Sequence, residues 1–492
     1  MIRAEWTKFR TVRGWVLGAV AALVLIIGLG VVPGTGGSCD ASCRLPRGPE
    51  GHEVADRAEF VHRTLTGDGT ITARITSFTG TKFTGPGRND VALVPWAKAG
   101  LIVRDGTDPG SSYAAVMLTG AHGVRMQYDY VHDAAGGSDG AAPRWLRLTR
   151  AGPVVTTAES TDGTHWRTVG EATPAHLPES VEIGLFTTSP QWAEKMHETF
   201  GVNAVRGGPS TATAVFADVR VEGATGAWRA EDLGGPGGAD EIPDDGPEPG
   251  AAVRDGVYTV TGSGDIAPAV SGPNGLGTTV TTTLLGTFAG LVLLVVLGGL
   301  FVTAEYRRGL IGVTFAASPR RGRVFGAKAL VIGAVAAVIG SVAATVALAA
   351  GPPVLRANGA YVSAVTLGTQ ARLVIGTALL LAGCAVLALA VGALVRRSAV
   401  ALTAVLSVTV LPYLLAMSVL PSGAADWVLR VTPAAAFAVQ QSAVEYAHVE
   451  NLYTAPNGYF PLPPFAGLAV LGVWVAVAAG CAVVVLRRRD VA

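Results

Sequence analysis

Five long apolar runs near the C-terminal half, and a sixth close to the start, constrain this chain more than any motif in it. Residues 284–303, 329–350, 373–395, 399–420 and 465–486 are each 20 residues or longer and contain no Asp, Glu, Lys, Arg or His. A helix needs about 20 such residues to cross roughly 30 Å of hydrocarbon. Inside hydrocarbon every backbone N–H and C=O must find a partner within the segment, so these runs predict helices. Residues 15–32 form a shorter run at the lower limit for a span. On its own that run has the look of a signal peptide; with five further spans behind it, it reads as an uncleaved anchor. Half of the residues are hydrophobic, only 15% are charged, and the mean hydropathy is +0.43, which excludes an ordinary soluble globular protein. Cys384 and Cys481 fall inside the runs and read as small packing residues.

The short connections sort by charge. One set carries Arg307, Arg308, Arg320, Arg321 and Arg323, then Arg396 and Arg397, then Arg487, Arg488 and Arg489. The opposite set carries Arg356 and Arg372, then Asp426, Arg430, Glu445 and Glu450. The positive-inside rule therefore predicts a multi-pass plasma-membrane protein with both termini and the 304–328 loop in the cytoplasm, ending in a tail at 487–492. The outer loop 421–464 is uncharged from Pro433 to Val444, so it reads either as a short helix dipping back toward the membrane or as an exposed loop. Residues 1–14, MIRAEWTKFRTVRG, put Trp6 and Phe9 on one helical face among Lys8, Arg10 and Arg13. That pattern fits a helix lying in the inner interface, or simply a charged flank of the first span.

Residues 33–277 differ in kind. They hold seven of the eight His and are rich in Gly, Thr and Pro. Short alternating runs such as 70–75, 99–104, 113–118, 124–130, 145–149, 181–187 and 215–221, broken by turn residues, predict an all-β sandwich inserted between the first two spans. Asp162-Gly163 is placed to turn a hairpin between 154–159 and 166–169. Residues 226–250 are dominated by Gly, Pro and acids and read as a linker, followed by one more strand at VYTVTG. Cys39 and Cys43 lie on the expected outer side, where a disulfide is the natural reading; no second Cys or His pair completes a metal site.

Several chemistries lack their residues. A P-loop requires Gly-Lys followed by Ser or Thr, yet none of Lys8, Lys82, Lys98, Lys195 and Lys328 follows a glycine, so the chain is not expected to hold ATP. The run interiors offer no ionisable group for a proton relay. No His-Glu-x-x-His motif occurs. Carboxylates are plentiful in 33–277 but form no clustered pair of the kind glycoside hydrolysis uses. Asp105, Asp108 and Gly110 in RDGTDPG read as a polar turn, with Ca²⁺ binding as the alternative. What remains is the basic loop. Glu305, Tyr306, Arg307 and Arg308 leave one span; Leu310, Ile311, Val313 and Phe315 make an apolar strip too short to cross; Ser318-Pro319 breaks it before Arg320, Arg321 and Arg323. A short helix docking into a partner's groove has this pattern, while the arginines also fix topology.

The run TAEYRRGLIGVTFAASPRRGRVFGAKAL and the opening RAEWTKFRTVRGW resemble permeases of the ABC-2 transporter type, especially actinobacterial ones. The resemblance covers residues 1–32 and 284 to the end. It implies a polytopic α-helical protein of six spans and an N-terminal interfacial helix at Trp6, Lys8, Phe9, Arg10 and Arg13. It also implies a coupling helix at Glu305–Arg308 and Arg320, Arg321 and Arg323 that touches a separate cytoplasmic ATPase. Such a chain exports its cargo, pairs as a homodimer or with a second permease, and leaves ATP and Mg²⁺ to the partner; it is not itself an enzyme and meets no nucleic acid. The large outer insertion departs from the minimal family pattern. Its stretches AGLIVRDG, RWLRLTRAGPVVTTAESTDGTHWRTVG and VEIGLFTTSP are similar to concanavalin A/laminin G-like sandwiches. The competing function is a membrane-anchored extracellular ligand- or glycan-binding or sensory protein.

Overall fold

The computed structural model describes residues 1–32, 45–85, 88–137, 142–197, 203–234, 247–272, 278–317, 320–358 and 362–488. Cys39 and Cys43 lie outside the described residues, as do 235–246 of the expected linker 226–250; its first part is instead strand, because 229–233 pair with 58–62 at the end of Ser210–Leu233. The chain combines a β-rich domain with a bundle of long apolar helices. Among the described residues six helical segments, 13–31, 280–307, 321–357, 367–395, 398–418 and 464–488, are long and apolar enough to cross a membrane.

The helices are α1 (Ile2–Thr11), α2 (Arg13–Val31), α3 (Thr287–Arg307), α4 (Leu310–Ala317), α5 (Arg321–Ala357), α6 (Leu367–Val395), α7 (Ser398–Thr409), α8 (Leu411–Ser418), α9 (Ser422–Val431) and α10 (Pro464–Arg488). α6 is central: it packs on α3, α5 and α10, while α2 lies against α3 and α5. Small residues set these approaches, since in hydrocarbon close backbone contact replaces the hydrophobic effect as the source of helix adhesion. A Cβ on Gly298 of α3 would sit 2.3 Å from the Ala385 carbonyl oxygen of α6.

Three boundaries differ from the hydropathy reading. α5 is 37 residues long and begins at Arg321, well before the apolar run at 329. α3 continues through Glu305, so 304–328 is not one loop: only a short link containing α4 separates α3 from α5. The fifth span is two helices, α7 and α8, broken at Val410, with Pro412 early in the second. Charges end an apolar run on a hydropathy scale but do not end a helix. Where Lys328 and Glu305 have partners, the helices run on through them.

Within 421–464 the chain packs onto the helices. The 3₁₀ segment Pro433–Gln440 is buried along its whole length and packs on α10 and α6. Phe437 stacks on Phe288 of α3 at 4.2 Å between ring centroids. Its one polar side chain is satisfied: Gln440 Nε2 donates to Thr287 Oγ1 and Thr377 Oγ1, both at 3.0 Å.

The β-rich domain is organised on two long strands, Ala58–Gly85 and Ser210–Leu233, which pair antiparallel along most of their lengths. Strand Ala58–Gly85 also pairs with Ser180–Thr188 near its start and with Arg144–Ala151 in its middle. One continuous, nearly closed sheet of thirteen strands results, folded over so that Arg144–Ala151 and Val154–Ser160 face Lys98–Arg104 and Tyr113–Thr119. The enclosed core contains Leu65, Ile71, Leu101, Val116, Leu148, Ile183 and Phe216. Lys98–Arg104 and Tyr113–Thr119 are buried on both faces, which is why they do not alternate in polarity. Their second face carries Phe60, Ile102, Tyr113, Met117, Tyr130 and Phe186. That second face holds a buried polar group. Arg104 forms a two-pronged ion pair with Asp56 at 2.8 Å, and Tyr130 Oη and the Gly110 N–H both donate to the same carboxylate at 2.8 Å. The RDGTDPG turn is thus built around Asp56 from a distant strand.

Candidate functional site at the arginine-rich end of the bundle

The ends of α3, α5, α6 and α10 that carry Arg307, Arg321, Arg396 and Arg487 meet at one end of the bundle, while Arg356, Arg372 and Arg430 lie at the other, where the β-rich domain sits. Arg321 at the start of α5 donates to the Leu486 carbonyl at the end of α10, 2.8 Å away. The Arg396 guanidinium after α6 lies 5.2 Å from the Tyr306 ring centroid at the end of α3. At the opposite end Thr281 Oγ1 donates to the Gln440 carbonyl at 2.7 Å, and Thr278 bridges to Val362.

The arginine-rich end is held by four charges from three helices. The Lys328 ammonium of α5 donates to Glu5 Oε2 of α1 at 2.8 Å and to Glu305 Oε1 of α3 at 2.6 Å. Lys8 of α1 reaches the same two carboxylates, Glu5 Oε1 and Glu305 Oε1, at 3.1 Å each. Lys328 is 2% exposed and Glu5 5%. Two cations and two anions in reciprocal contact neutralise each other, which is the condition for keeping them out of water. Burial acts against the Lys8 charge, but Glu305 and then Glu5 outweigh it and hold its pKa above the ordinary lysine value. Phe301 closes the group from below, its ring 4.9 Å from the Lys328 ammonium, with Phe9 and Trp15 packed edge-on against it.

The expected site residues therefore divide. Glu305 is consumed by the internal ion pairs, Tyr306 is half-buried beneath Arg396, and Arg321 ties α5 to α10. Arg307, Arg308, Arg320 and Arg323 are exposed. Leu310 and Val313 of α4 are 50% and 68% exposed, while Ile311 is buried in the bundle core. On α1, Phe9 and Glu5 are buried, Lys8 is part-buried, and Trp6 and Arg10 are exposed; Arg13, also exposed, is the first residue of α2. α1 ends where Val12 turns extended, which lets it fold across the ends of α3 and α5 instead of continuing into α2. Glu5 and Lys328 were not singled out as site residues from the sequence. The available signal was a lone lysine just inside an apolar run, which needs a nearby carboxylate if it is to be buried.

Elsewhere, Asp105 accepts from His176 Nδ1 at 2.8 Å and the Asp108 carbonyl accepts from Ser111 at 2.7 Å. Among the described residues no group of three or more His, Cys, Asp or Glu is arranged to hold a metal ion.

No protein-family model and no curated protein matches the chain. Among solved structures, a functionally unknown protein from Saccharomyces cerevisiae is similar over 34% of this chain and 74% of its own, with 17% identity and a TM-score of 0.21. A mutant of the GH43 protein BlXynB from Bacillus licheniformis is similar over 24% of each chain, with 12% identity and a TM-score of 0.18. TM-scores this low carry no conclusion about fold or function.

Proposed function

We propose that this chain is the membrane-spanning permease subunit of an ABC-2 type exporter, driven by a separate cytoplasmic ATPase that docks at the arginine-rich end. The observation that supports this most is the Glu5–Lys8–Glu305–Lys328 group. It binds α1, α3 and α5 into one unit immediately beside α4, whose exposed Leu310 and Val313 are flanked by four exposed arginines. A push on α4 or its arginines is thereby delivered to two spans and the N-terminal helix together. An apolar strip between cationic ends suits a partner groove with an acidic rim. ATP and Mg²⁺ reside on the partner, which also supplies the energy. Two copies, or this chain with a second permease, enclose the path. The β-rich domain then lies outside the cell, as a concanavalin A/laminin G-like module inserted between the first two spans.

The test is to reverse Arg307, Arg308, Arg320 and Arg323 to Glu, and separately to change Leu310 and Val313 to Asp, leaving Arg321 and the four buried charges in place. Both variants are expected to reach the membrane, checked by fractionation and by labelling of introduced cysteines on each side. Neither should retain the co-expressed ATPase on purification, nor stimulate its turnover. Retention and stimulation at wild-type levels by both correctly inserted variants would overturn the docking assignment.

A further inference from the structure

At the end of the bundle away from the arginines, a cleft of about 440 Å³ opens between the β-rich domain and the outer helices. Its walls come from three places: the hairpin of strands Trp192–His197 and Asn203–Gly208, the junction of α8 with α9, and the loop 445–461. Four charged side chains line it, Lys195, Arg430, Asp426 and Glu445. Among the described residues none of the four makes an ion pair with another or with any neighbour, although two are cations and two are anions. The rest of the lining includes Met417, Leu429 and Phe460. Met417, in the last turn of α8, and Phe460 are part-buried against the bundle core and Leu429 belongs to it, while one turn before Met417 the same helix exposes Leu414. α9 beside it exposes Trp427 and Val431, at 65% and 41%, and Trp474 of α10 donates to the Val431 carbonyl at 3.0 Å. Trp474 is mid-helix in α10, but Trp427, exposed on the short amphipathic α9, is the residue type that sits at the membrane–water interface.

We infer that this cleft is a binding site for a single-chain amphiphile with a zwitterionic headgroup. The headgroup anion meets Lys195 and Arg430, its cation meets Asp426 and Glu445, and the chain leaves past Met417 over the exposed Leu414 into the bilayer. A ligand of one charge would satisfy only one pair and be repelled by the other, which gives the site its selectivity. A fully polar zwitterion would leave the apolar wall in water. The site stands on the cleft and its charges, and holds whether or not the chain transports anything.

The full chain, held in neutral maltoside micelles, would be exposed to photoreactive lysophosphatidylcholine and, in parallel, to photoreactive lysophosphatidylglycerol, with labelled peptides mapped by mass spectrometry. The wild type should be labelled by the choline lipid within 416–430 and 445–461, and unlabelled lysophosphatidylcholine should compete. Asp426→Asn with Glu445→Gln should lower choline-lipid labelling there roughly fivefold and shift preference toward the anionic lipid. Lys195→Gln with Arg430→Gln should depress the anionic lipid further. Misfolding cannot produce opposite shifts in preference. Labelling spread evenly over the lipid-facing helices, an unchanged lipid ratio in both variants, or competition by soluble phosphocholine equal to that by the lipid would each overturn the inference.

Discussion

A lysine ammonium that is 2% exposed and shared between two carboxylates has no neutral way out when one partner is lost. Lys328→Met would leave Glu5 and Glu305 facing each other with only the half-exposed Lys8 between them. Breaking a buried pair in this way costs about 3–5 kcal/mol, whereas removing all of its charges together costs far less. Thermal unfolding in detergent should therefore show Lys328→Met strongly destabilised, and the combination with Lys8→Gln, Glu5→Gln and Glu305→Gln largely recovered. A second residue-scale case lies in the β-rich domain. Glu59 is buried and sits directly across the ladder from Asp232. Burial first, and then the Asp232 charge, push the Glu59 carboxyl up to about 7. An unfolded chain releases that proton near pH 4.5, so between about 4.5 and 7 the folded state binds more protons. Stability from this site is therefore full below pH 4.5 and is lost as pH rises to 7. The swing is at most about 2 kcal/mol, because Asp232 is exposed and screened. Hydrogen exchange in 58–66 and 224–233 should be slower at pH 5 than at pH 7.5 relative to intrinsic rates, and Glu59→Gln should abolish the difference.

Among the elements, the segment Pro433–Gln440 shows best how a sequence pattern and its packing relate. Its lack of charge allowed either a surface loop or a return into the bundle. Burial of every residue in it decides for the return, and a glycine makes room. A Cβ on Gly467 of α10 would stand 2.0 Å from the Ala435 carbonyl oxygen, so even Gly467→Ala forces α10 and the returning segment apart. Overpacking of this kind costs about 1–3 kcal/mol. Gly472→Ala in the same helix meets nothing within 4 Å and serves as the control. The first substitution should lower the unfolding temperature in detergent, and the second should leave it unchanged. α4 is a contrasting element. Its apolar strip was legible as too short to cross a membrane, but the inward turn of Ile311 and outward turn of Leu310 and Val313 follow from where α3 and α5 end.

For the molecule as a whole, the loop 441–463 makes a joint between the β-rich domain and the helices. His448 is buried and its Nε2 donates to the Tyr130 carbonyl at 3.0 Å, while Val449 packs with Ala267 and Val270. Asn451 donates to the Ser271 carbonyl at 2.9 Å and Tyr459 Oη to the same oxygen at 3.1 Å. The Oη of the same Tyr130 donates to Asp56, so the loop is joined to the domain's buried polar group through that residue. Burial holds the His448 pKa below its ordinary value, with Lys98 acting in the same direction and the Tyr130 carbonyl, Asp133 and Asp265 acting against it. A released His448 takes up a proton near pH 6.5, before the docked one does. Docking is thus complete above about pH 6.5 and weakens below it. Hydrogen exchange of 446–452 should rise on acidification from pH 7.5 to 5.5. His448→Gln, which keeps a neutral donor, should remain docked across that range.

What the sequence determined by itself is everything that depends on short-range composition. Six helices long and apolar enough to cross a membrane follow from run length against the thickness of hydrocarbon, the gathering of Arg307, Arg321, Arg396 and Arg487 at one end follows from alternation of the connections, and the β character of the insertion follows from period-two runs between turn residues. Each of these is set by residues a few positions apart. Tertiary structure decided what depends on distant partners. Lys328 meets Glu5 across 323 positions, so neither the burial of the lysine nor the run of α5 through it is written locally. The insertion closes as one folded-over sheet because two strands of 28 and 24 residues bend enough to serve both layers, and no local pattern reports that bend. Docking of the outer loop on Tyr130 likewise joins positions 318 apart.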